Sequence, residues 1–212
     1  DSTGDWSSDV CSSDLRFIND LNELEDFELP QNAVMFKESN NVNTFILKML
    51  FVAVCITLIF VSVSKAISDA QDVAYKGANH FTWVTVALWI AQVLPHEYIH
   101  MLFYGKNAFA KIYLSPINGV LVCYSSKPLK KKQFIIMSLA PTIIFAIIPY
   151  LSWALYFVNY GGIGRALLSY CIFPFIFGVG DYSNVFKTIR QVPNGALVIN
   201  SGMHTYWFKK IP

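Results

Sequence analysis

Four long apolar stretches leave this chain few ways to fold. They run from about Thr44 to Ser64, from Phe81 to Phe103, from Phe134 to Phe157 and from Ala166 to Phe186. Each reaches the roughly 20 residues that a helix needs to cross a bilayer core. Charged residues make up 14% of the 212 and apolar ones 54%. An ordinary soluble domain carries about 25% charged residues. The expected fold class is therefore mainly α: a polytopic membrane protein of about four transmembrane helices. Lys48, near the start of the first stretch, can snorkel to the interface. Pro141, Pro149 and Pro174 lie inside the later stretches. Such prolines are tolerated where neighbouring helices satisfy the freed backbone groups.

The segment from Asp5 to Leu15 reads DWSSDVCSSDL, which is what a common sequencing-library adapter gives when translated in one frame. Residues 1–15 are accordingly expected to be an artefact and disordered, with the authentic chain starting near Arg16. Residues 16–42 are a polar, acidic lead-in with Pro30 at its middle and a strand expected at Ala33 to Lys37. Residues 43–212 are expected to form the membrane domain. Cys11, Cys55, Cys123 and Cys171 form no C-x-x-C pair, which argues against a disulfide framework or a cysteine zinc site.

Basic residues set the expected orientation. The loop from Tyr104 to Gln133 carries Lys106, Lys111, Lys127, Lys130, Lys131 and Lys132 and no acid. The tail after the fourth stretch carries Lys187, Arg190, Lys209 and Lys210, whereas the other connections offer Lys65, Lys76 and Arg165. The loop, the tail and, with four spans, the N-terminus are expected in the cytoplasm. The loop should fold as a β-hairpin, because Lys111–Leu114 and Val120–Tyr124 flank Asn118-Gly119. A second hairpin is expected in the tail, from Ala196–Ile199 through Asn200-Ser201-Gly202 to His204–Phe208. A net charge of +2 gives no reason to expect a nucleic-acid partner.

The chemistry gathers at His96-Glu97-Tyr98-Ile99-His100, near the end of the second stretch. Histidines four apart share one helix face and can hold one zinc ion together. Glu97 then stands where it can take a proton from the water that zinc activates, as general base rather than ligand. An ionisable residue on a spanning helix costs on the order of 2.5–3.5 kcal/mol, so three in a row need a reason. The plainer reading is a solvated helix end at the membrane interface. Two histidines one turn apart cannot take opposite axial positions on a haem. Pro95 should bend the helix there and could open one side to water.

A hydrolytic zinc usually has three protein ligands and one open position. Asp181, in Gly178-Val179-Gly180-Asp181-Tyr182-Ser183-Asn184, lies at the cytoplasmic end of the fourth stretch, on the same side as the histidines. The glycines would let helices pack closely there. Asn184, three residues on, could support Asp181 or face substrate. His204, in the tail, is the other candidate ligand. His80 falls on the opposite side of the membrane and is set aside.

In these features the chain resembles the putative zincin peptidases, small bacterial membrane proteins distantly similar to site-2 intramembrane metalloproteases. The resemblance rests on Leu94 to Gly105, on Lys130-Lys131-Lys132-Gln133-Phe134 leading to Leu139-Ala140-Pro141, and on Gly180-Asp181-Tyr182-Ser183-Asn184, within residues 30 to 208. It implies that His96, His100 and Asp181 bind Zn2+ and that Glu97 activates water. The late motif departs from the site-2 pattern, where Asn-x-x-Pro accompanies Asp-Gly. The expected function is a zinc metalloprotease embedded in the bacterial cell membrane and acting on membrane-associated proteins. Two alternatives stand beside it: a non-catalytic membrane protein with a structural or vestigial metal site, and a metal-dependent hydrolase of lipids or small molecules.

Overall fold

A computed structural model of the chain describes residues 14–19, 23–37, 42–78, 80, 82–105, 110–116, 120–202 and 204–210. The elements follow in the order β1 (Asp14–Phe17), β2 (Val34–Met35), α1 (Val42–Ala70), α2 (Trp83–Ala91), α3 (Val93–Leu102), β3 (Ala110–Ser115), β4 (Val120–Ser125) and β5 (Leu129–Lys130). Then come α4 (Lys131–Thr142), a π turn (Ile143–Ile147), α5 (Ile148–Ser152), a second π turn (Trp153–Phe157), α6 (Gly161–Phe177), α7 (Val179–Gln191), β6 (Leu197–Ser201) and β7 (His204–Phe208). The fold is mainly helical with two small sheets. Contacts divide it into two units: residues 1–36, 97–134 and 188–212 form one, residues 37–96 and 135–187 the other.

The second unit holds most of the apolar sequence. Two of its helices, Ile46–Ala70 and Lys131–Phe157, are long and apolar enough to cross a membrane, although the second begins in the other unit. A third candidate is the pair α6–α7, bent by 47° at its break. Ile46, Leu47, Leu50, Phe51, Leu58 and Ile59 of α1 are all exposed. Apolar surface on that scale calls for lipid or protein against it. The second expected span, residues 81–103, holds two short helices, α2 and α3, parted at Gln92.

Proline explains the break. A proline ring clashes with the carbonyl four residues before it and brings no N–H. Four residues before Pro95 stands Ala91, the last residue of α2. The new helix starts at Val93, and Pro95 sits in its first turn, where the missing N–H costs nothing. Thr82 caps α2 by accepting from the Thr85 N–H. Pro174, inside α6, robs the Tyr170 carbonyl of its helical donor in the same way. The Trp89 indole N–H supplies the substitute at 3.0 Å. A buried carbonyl left unpaired would cost about 1–3 kcal/mol. The core of this unit gathers Phe60, Trp153, Val158, Leu168 and Cys171. Ser64 Oγ lies 3.0 Å from the Tyr150 hydroxyl.

In the other unit, one sheet has the order β1-β3-β4 and the second β2-β7-β6-β5. Both expected hairpins are present: β3 pairs antiparallel with β4, and β6 with β7. The Asn118-Gly119 turn itself lies outside the described residues. The strand expected at Ala33–Lys37 is the short β2, paired with β7. Residues 1–13 also lie outside, while Asp14 and Leu15 belong to β1, which runs parallel to β3. Gly202 turns the second hairpin at φ +51°, and a Cβ there would collide with the Asp26 carboxylate.

Lys111 of β3 is buried, and its ammonium donates to the Glu25 carboxylate. That bond, and the Lys111 charge, hold the Glu25 carboxyl below its ordinary 4.5. A carboxyl with a lowered pKa stabilises the fold fully above its unfolded value and loses that stabilisation as pH falls through the lowered one. Glu25→Gln removes this carboxylate from Lys111 and, because Glu25 is part-exposed, should cost roughly 1 kcal/mol. Hydrogen exchange of the β3 and β4 amides is the measurement. The expected result is faster exchange in the variant at neutral pH, and a wild type that approaches the variant on acidification below the ordinary carboxylate range.

Candidate metal centre

Helix α3 carries His96 and Glu97 just past its first turn and His100 in its last turn. Their exposures are 4%, 6% and 7%, so all three ionisable groups are out of water. The i, i+1, i+4 spacing brings one ligating atom from each to within 4.8 Å of the others. Among the described residues this is the one group of three or more histidine, cysteine, aspartate or glutamate side chains close enough to hold a metal ion. The donor chemistry fits zinc: two imidazoles and a carboxylate, on one helix face.

His96 belongs to the helical unit, and Glu97 and His100 to the sheet unit. In the helical unit, His96 Nε2 lies 3.1 Å from Asp181 Oδ2. The edge of the His96 ring also meets Phe177, with ring centroids 4.9 Å apart and planes at 83°. Asp181 sits in the first turn of α7, where helix N–H dipoles favour a carboxylate. Helix α7 begins there because α6 ends at Phe177 and the chain bends at Gly178. A Cβ at Gly178 would lie 2.6 Å from Thr142 Oγ1 and 3.1 Å from the Tyr182 hydroxyl. Only glycine admits that approach. Just before His96, the Gln92 side chain is buried in the helix break and accepts from the Tyr170 hydroxyl at 2.9 Å.

In the sheet unit, Glu97 Oε2 accepts the backbone N–H of Cys123 at 2.8 Å. Cys123 lies on β4, the outer strand of its sheet. A carboxylate bonded to an amide N–H is among the stronger hydrogen bonds. Burial, and after it the Glu97 charge, push the Cys123 thiol up to about 12. At neutral pH its sulfur is an uncharged packing atom.

Of the residues singled out from the sequence, His96, Glu97 and His100 form the cluster, and Asp181 meets it through His96. Asn184 is half-buried one turn beyond Asp181, with no side-chain hydrogen bond among the described residues. His204 opens β7 on an exposed position and is not part of the cluster. The backbone N–H of His80 donates to Ser169 Oγ, and its side chain is also outside the cluster. Sequence reasoning missed the Cys123 amide. A backbone donor leaves no mark in residue identity; only the expected β4 strand could have pointed to it.

The family described as Putative zincin peptidase matches residues 89–197. The chain belongs to that family. The matched stretch contains His96, Glu97, His100, Asp181 and Asn184 and leaves out His80 and His204. No curated protein and no solved structure matches the chain. A zincin peptidase is by its designation a zinc-dependent peptidase, which agrees with the buried His-Glu-His cluster.

If the His96-Glu97-His100 cluster holds zinc, the expected content is about one ion per chain. Replacing His96 or His100 with alanine should abolish it. Asp181→Asn should weaken zinc binding by at least about 10-fold, as for residues that ligate or orient a ligand. Metal analysis of the purified variants against competing chelator measures both effects.

Proposed function

We propose that the chain is a zinc metalloprotease embedded in the bacterial cell membrane, cutting proteins that lie in or at the bilayer. The observation that carries this reading is the position of Glu97. Its carboxylate stands in the cluster beside His96 and His100 and is held to the amide of an edge strand. With Asp181 as the third ligand, the Glu97 carboxylate is left beside the metal position as a base.

His96, His100 and Asp181 would hold the zinc. When bound, zinc supplies a Lewis acid that polarises a carbonyl and makes a water acidic near neutral pH. Glu97 takes a proton from the attacking water and passes it to the leaving amide nitrogen. The Cys123 N–H keeps the carboxylate from swinging away between those two transfers. Asn184, one turn beyond Asp181, supports that carboxylate or faces the substrate. The outer edge of β4 favours a peptide over a lipid or a small molecule as substrate. An extended peptide can add to a free strand edge through main-chain hydrogen bonds. One added along β4 would run past the Cys123–Glu97 contact.

In this reading residues 43–212 are the zincin-like membrane domain, and the distant similarity to site-2 proteases belongs to it. The chain crosses the bilayer four times, with α2 and α3 together as one crossing. The lysine-rich loop and tail, and the N-terminus, face the cytoplasm. Its partners are the lipid bilayer and a membrane protein or peptide, not nucleic acid.

Glu97→Gln is the decisive variant. It should keep zinc and lose cleavage by roughly 100- to 10,000-fold, the usual worth of general acid–base catalysis. The assay reconstitutes the full chain in lipid vesicles with a library of membrane-spanning peptides and reads the products by mass spectrometry. Equal cleavage by the variant, or a wild type without zinc, overturns the reading.

A further inference from the structure

A cavity of about 340 Å³ opens at the N-terminal end of α6. Asp181 and His96 lie by the other end of that helix. The volume is at the lower bound of small-molecule sites, which run from about 300 to 1,000 Å³. Asp72 and Lys76 line it from the chain after α1, Trp153 and Asn159 from the end of the Lys131–Phe157 helix, and Arg165 from α6. All of these residues belong to the helical unit.

Three observations point to a ligand. Arg165 is half-buried, yet neither it nor Lys76 has a side-chain hydrogen bond or ion pair among the described residues. A partly desolvated guanidinium calls for an anion. The Tyr75 hydroxyl, on the same lining, is a buried polar atom without a partner. The start of α6 also faces this space through Gly161. Its cap residue Tyr160 makes no side-chain cap bond, and nothing lies within 4 Å of a Cβ built at Gly161 or Gly162. The first N–H groups of a helix are suited to a phosphate.

The place in the fold narrows the ligand further. Two membrane-span candidates end here, at Ala70 and Phe157, and the third begins at Gly161. That is the level of lipid headgroups, whose phosphates suit a guanidinium beside a helix start. Asp72 adds a negative charge to the same lining, with no ion pair to either base. A plain anion would leave that carboxylate unused or opposed; a phosphate carrying an ammonium group uses all three charges.

We propose that this cavity binds a phosphoethanolamine lipid headgroup, with its phosphate on Arg165, Lys76 and the α6 N-terminus and its ammonium on Asp72. The site is separate from the zinc reading and does not rest on it. To test it, the full chain is purified in detergent, stripped of lipid and mixed with phosphatidylethanolamine or phosphatidylcholine. Native mass spectrometry then counts retained lipid, with zinc content and circular dichroism as checks of folding. Wild type should retain phosphatidylethanolamine in preference, and millimolar inorganic phosphate should not displace it. Arg165→Gln and Lys76→Gln should each lower retention about tenfold, the effect of one lost charge-assisted contact. Lys76 is exposed, so its variant keeps the test open if Arg165→Gln fails to fold. Asp72→Asn should erase the preference over phosphatidylcholine; Asp72 has φ +55°, a conformation asparagine also tolerates. Unchanged retention in a folded Arg165→Gln or Lys76→Gln variant overturns the proposal. So does displacement by inorganic phosphate, or equal retention of both lipids by the wild type.

Discussion

An apolar environment offers no water to a backbone group that loses its partner, and that constraint organises the helical unit. Three helix interruptions answer it in three ways. At Pro95 the chain stops α2 and begins α3 within two residues, so the proline falls in a first turn and no donor is missed. At Pro174 the helix continues, and the Trp89 indole takes over the orphaned Tyr170 carbonyl. At Gly178 the chain bends by 47° and starts α7. Two of the three interruptions produce new helix starts, and the metal-binding candidates follow directly. His96 is the fourth residue of α3, and Asp181 is the third residue of α7. Helix starts are where a carboxylate gains from the unsatisfied N–H groups. The breaks that membrane helices must repair are thus also what places the chemistry.

Much of this was legible in the sequence, and for identifiable reasons. The spacing of His96, Glu97 and His100 survives in any helix, because i and i+4 always share a face. The two hairpins were legible because turn residues and β-formers act locally. The pairing of Asp181 with His96 was reachable through the lysine bias, which put both at one depth before any geometry was known. The bend expected from Pro95 is there, but that it falls at Gln92 as a full break was not legible. A single glutamine in an apolar run reads as a continuous helix, and the effect of Pro95 is felt four residues upstream. Contacts between distant segments were also hidden. Nothing near Glu25 announces Lys111, and nothing near Glu97 announces the amide of Cys123. Neither partner is encoded by a pattern; both follow from how the strands come together.

The sheets matter to the site for a reason that the helices cannot supply. A glutamate on a helix has rotamer freedom, and the general base proposed here would have to hold one position through two proton transfers. Packing alone restrains such a side chain poorly. A hydrogen bond from the Cys123 amide fixes it to a backbone, and that backbone is paired along its length with β3. The restraint on Glu97 is therefore as stiff as the strand. Phe177 and Asp181 do the same for His96, one by ring contact and the other by hydrogen bond. Neighbouring residues on α3 are thus held from separate elements.

Helix α6 ties the two ends of the helical unit together. Its 17 residues span about 25 Å at 1.5 Å per residue, close to the roughly 30 Å of a bilayer core. Arg165 stands near one end, and the Gly178 bend that leads to Asp181 stands at the other. A headgroup held at Arg165 sets the depth of α6 in the membrane. Since α6 is one rigid helix up to Phe177, it sets the depth of the Phe177 ring and the start of α7 as well. A helix free to slide would carry Asp181 with it, while a substrate in the same bilayer would keep its own depth. Under the proposed function, fixing the far end of α6 to lipid would therefore fix where along a membrane-spanning substrate the carboxylate and the His96 ring meet it. On the two proposals together, lipid recognition at one end and cleavage position at the other would be a single mechanical property of one helix.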